Sequence, residues 1–164
     1  MQERGEVFTN ALRMCDHNLK IYLDYRWFPE TCSEFGKKNA EAYLDAAERL
    51  TKLSQLLIKA MPKASSQRMS NLIENEIKRL TFEAAEFRVM HLQQLAVCKL
   101  AEFHNSTDIA ACEKAVEYFK LAVSALEESL EKALQFGLSA EGWYARNINA
   151  WLAKEFNEKI EKFK

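Results

Sequence analysis

Glycine and proline are scarce in this chain, with four and two among 164 residues. So few breakers exclude a fold built on many tight turns and favour long, uninterrupted helices. An excess of positive charge is missing too: 23 basic residues face 24 acidic ones, for a net charge of −1. Electrostatic capture of nucleic acid normally needs a basic surplus, so a nucleic-acid partner is not expected. No apolar run approaches the roughly 18 residues that would span a bilayer. The opening MQERGEVFTN has no apolar core of a signal peptide. The expectation is a protein of the cytoplasm or nucleus with no membrane role. The cysteines, Cys15, Cys32, Cys98 and Cys112, are never in CxxC spacing. They read as small buried apolar residues of a reducing compartment.

What is present is apolar periodicity. At 48% hydrophobic and 29% charged, residues 1–164 read as a single globular domain able to bury a core. The stretch from Ser70 to His104 holds no proline or glycine and carries two apolar rows at helical spacing. One is Ile73, Ile77, Leu80, Ala84, Phe87, His91, Leu95 and Cys98. The other, about 110° round the helix, is Phe82, Ala85, Val89, Leu92, Ala96, Leu100 and Phe103. A surface helix carries one stripe, so two rows predict a helix covered on both sides.

Four more helices are expected around it. The first, from about Glu3 to Trp27, is stopped by Pro29. The second begins at 31–33, where Thr31-x-x-Glu34 has the form of a capping box, and runs to about Ala60. Ser65 or Ser66 caps the central helix, and Ser106 or Thr107 caps the fourth. The fourth has the row Cys112, Ala115, Phe119, Ala122, Leu126, Leu130 and Ala133, and Gly137 ends it. The fifth follows Ser139 with Tyr144, Ile148, Trp151, Phe156, Ile160 and Phe163. Short connections make neighbours antiparallel. The predicted fold class is all-α, an antiparallel up-and-down bundle of about five long helices around a central helix over 66–104.

Chemistry-bearing patterns fail one by one. A di-iron bundle needs Glu-x-x-His, but Met14, Arg88 and Ala101 stand three before the histidines. His-Glu-x-x-His and paired CxxC are absent. In Cys15-Asp16-His17, adjacent helical residues point in different directions and cannot share a metal. Arg13 with His17, and Arg88 with His91, stand closer than in compact helical nucleases of the HEPN type. Phosphate loop, nucleophile elbow and kinase signature are all missing. His91, alone on an apolar row, reads as a core histidine with a hydrogen-bond partner. Arg88, Lys99 and Glu102, near the rows, are expected to snorkel or pair. The expectation is no enzyme, no cofactor and no metal.

Two aromatic groups stand apart. Tyr22, Tyr25, Trp27 and Phe28 precede Pro29, and Trp143 and Tyr144 open the last helix. They read either as core at the bundle ends or as partner anchors, a role in which Trp and Tyr are enriched. Tyr25, Trp27, Phe28, Trp143 and Tyr144 are the candidate partner-binding residues. Ala42-Tyr43-Leu44-Asp45-Ala46-Ala47 and Ala115-Val116-Glu117-Tyr118-Phe119-Lys120-Leu121-Ala122 resemble tetratricopeptide and MIT-type hairpins in the spacing of small and aromatic residues. The likeness covers under a fifth of the chain, and no repeat of about 34 residues accompanies it. It implies a groove between helices that takes a short peptide. The expected function is a non-catalytic adaptor or scaffold module binding a protein or peptide segment through a groove or aromatic patch. The alternative is a structural or regulatory accessory domain of a larger enzyme or complex. Homo-oligomer formation stays open.

Overall fold

The computed structural model describes residues 29–135 and, further on, residues 150, 153–154, 157–158 and 160–162. Three long helices follow in order: α1 (Pro29–Ala60), α2 (Gln67–Ser106) and α3 (Ile109–Gln135), with a short 3-10 turn at Met61–Lys63. The later described residues are helical as well. Among the described residues there is no strand, and the chain is all-α. These are the second, third and fourth of the five expected helices. The first, over 3–27, lies outside the described residues, and the fifth is described only in part.

Local chemistry explains the boundaries, and corrects three of them. α1 starts at Pro29, before the expected capping box. Proline suits the first helical turn, where its missing N–H would have no partner anyway. Ser66 caps α2, its hydroxyl accepting from the Met69 N–H at 3.2 Å. α2 then runs past 104 to Ser106 and ends at Thr107, which adopts a left-handed φ of 55°. The cap of α3 is neither Ser106 nor Thr107 but Asp108, whose Oδ1 accepts from the Ala110 N–H at 3.0 Å. Ser106 is occupied instead, its Oγ accepting from the Asp108 N–H at 3.2 Å.

α1 and α3 both pack along α2. The α1–α2 pair is antiparallel. Lys37 meets Glu102 at 3.7 Å, His91 Nδ1 donates to the Ala40 carbonyl at 2.7 Å, and Ser54 meets Thr81 at 3.3 Å. Because a carbonyl can only accept, Nδ1 of His91 carries a proton. The lone histidine is thus a half-buried strut between two helices, as its place on an apolar row suggests. Arg88 is exposed and donates to Thr51 Oγ1 at 2.9 Å, while Lys99 pairs with Glu102 at 2.6 Å.

The α2–α3 pair is antiparallel too. One buried cluster joins Ala96 and Leu100 to Cys112, Ala115, Val116 and Phe119, with Ala153 and Ile160 from the last segment. The expected α3 row is buried from Cys112 through Leu126. Cys98 and Cys112 are both buried, as small core residues would be. α2 differs from expectation in two respects. Beyond the two expected rows, Glu86, Met90, Gln93, Val97 and Ala101 form a third buried row. Between Leu80 and Ala101 only Arg88 is exposed. Of the expected rows, Phe87 and Leu95 are only half-buried.

Candidate functional site

Helix lengths create the most distinctive surface. α2 has 40 residues and α3 has 27, and they are joined by only Thr107 and Asp108. At about 1.5 Å per residue, α3 therefore reaches back along α2 only to about Leu80. The α1–α2 hairpin continues about 20 Å further. Burial follows this geometry: Ser54 is the last buried residue of α1 and Leu80 the first of α2, and nothing between them is buried.

The hairpin tip nevertheless keeps large apolar side chains. Leu56 is 61% exposed, Leu72 57%, Leu53 46% and Met69 45%. On a helical wheel, Leu53, Leu57 and Ala60 sit roughly 80–140° from the inward line of Ala40, Ala47 and Ser54, with Leu56 further round. Met69 and Leu72 sit roughly 60–120° from the α2 inward line of Ile77, Ala84 and His91, in the same rotational sense. In antiparallel helices these flanks fall on one side of the hairpin. On α2 it is the flank that, nearer the bundle body, buries Met90, Val97 and Ala101. A contiguous apolar patch of a few hundred Å² on a protein surface marks an interaction site.

Charge at the tip is one-sided. From Arg49 to Ile73 every charged residue is basic: Arg49, Lys52, Lys59, Lys63 and Arg68. Arg49 pairs with Asp45 at 2.9 Å; the other four are exposed and, among the described residues, have no carboxylate partner. The nearest acids on α2 are already engaged. Lys78 holds Glu74 at 2.7 Å. Arg79 donates from Nε to both oxygens of Glu76, at 3.2 and 3.0 Å, and from Nη1 to Glu83 at 2.5 Å. The hydrogen bonds it donates to Glu76, joined by Glu83, hold the Arg79 guanidinium above the usual arginine range. Elsewhere the surface charges form local pairs such as Lys132 with Glu128 at 2.8 Å, which holds the Glu128 carboxyl below its usual range. Such exposed pairs contribute little to stability.

A second concavity, of about 490 Å³, lies where Lys120 and Ser124 of α3 face Lys154, Asn157 and Glu158. Among the described residues, no three His, Cys, Asp or Glu side chains are placed to hold a metal ion, and no helix is long and apolar enough to cross a membrane.

The expected anchors Tyr25, Trp27, Phe28, Trp143 and Tyr144 all lie outside the described residues. The tip residues Leu53, Leu56, Met69 and Leu72 escape a reading based on core rows, because they fall beside those rows. One signal points to them: the long run without acids from Arg49 to Ile73. Comparison with known proteins adds no relative, since no family profile, characterised protein or solved structure matches the chain.

Proposed function

We propose that this chain is a non-catalytic helical interaction module that contacts a protein partner through the α1–α2 hairpin tip. One observation carries this reading: Leu53, Leu56, Met69 and Leu72, large apolar side chains at the end of the α1–α2 hairpin, stay about half exposed. A free apolar flank lowers solubility unless something covers it, and large patches of this kind on soluble proteins usually serve association. The bundle body acts as the holder, its α2 fixed between α1 and α3.

Photo-crosslinking tests the reading. A photoreactive residue at position 72 of the full chain, expressed in its own cells, should yield a discrete adduct. The same residue at Glu113, exposed on the body, should not. Excess wild-type chain should compete the adduct away, and the Met69→Ser/Leu72→Ser chain should not compete. Equal adducts at both positions, or none at position 72, would refute the module.

A further inference from the structure

We draw no further inference here: the strongest candidate, the exposed apolar face of the α1–α2 hairpin tip around Leu56 and Leu72, belongs to the site already described, and nothing in the structure shows what covers it.

Discussion

Gln93 should be a residue the fold would be more stable without. Its side chain is 1% exposed on the third buried row of α2, and among the described residues neither its Nε2 nor its Oε1 has a hydrogen-bond partner. Burying a primary amide without partners costs about 1–3 kcal/mol in proteins. Methionine has nearly the same length and volume and no strongly polar atom, so Gln93→Met removes that cost. Volume-conserving replacement itself costs less than about 1.5 kcal/mol. The net expectation is a gain of about 1–2 kcal/mol. For a chain of this size that means a rise in Tm of roughly 2–8 °C. Urea unfolding followed by circular dichroism measures it, with an unchanged slope showing that the native and unfolded states are otherwise the same. Gln93→Glu supplies the opposite sign, because the site would have to bury a charge or take up a proton. A Gln93→Met protein less stable by more than about 1 kcal/mol would refute the reasoning, since only an amide with satisfied hydrogen bonds would be missed that much.

Phe119 has no exposed surface and lies in the cluster with Ala96, Leu100, Ala115 and Val116. Phe119→Ala should cost about 3–5 kcal/mol by urea denaturation, and a loss under about 1 kcal/mol would show that the α2–α3 seam closes over the space. His91→Leu removes the donor to the Ala40 carbonyl while that carbonyl keeps its place in the α1 ladder. The expected loss is about 1 kcal/mol, and a variant more stable than wild type would show that the strut contributes nothing.

How well the architecture could be read tracks how cleanly each row is written. Cys112, Ala115, Phe119, Ala122 and Leu126 recur at helical spacing with no polar interruption, and all five are buried. The third row of α2 is hidden because Glu86 and Gln93 stand among Met90, Val97 and Ala101, and polar letters ordinarily mean a wet face. Pro29 conceals the start of α1, because one residue type both stops a preceding helix and opens a new one. Asp108 stands next to two hydroxyl residues, and because all three residue types serve as caps, the sequence does not single it out. The expected aromatic anchors fall outside the described residues. The apolar tip is hidden for a different reason: Leu53 and Leu72 are off the core line, and periodicity marks only the residues that align with it.

That overhang divides one continuous helix into two thermal regimes. Residues 80–101 of α2 are enclosed almost all round, so their amides can exchange with solvent only when the bundle opens as a whole. Residues 67–79 belong to the same hydrogen-bonded ladder, yet among the described residues only the α1 side of the hairpin shields them, and their opening needs no more than fraying of that end. Deuterium uptake along α2 should therefore fall steeply near Leu80 with no break in the helix itself. The slow half is a clamp and the fast half a sensor, because a ligand that stabilises the frayed end would be recorded there first, as slowed exchange at the tip and almost none in the body.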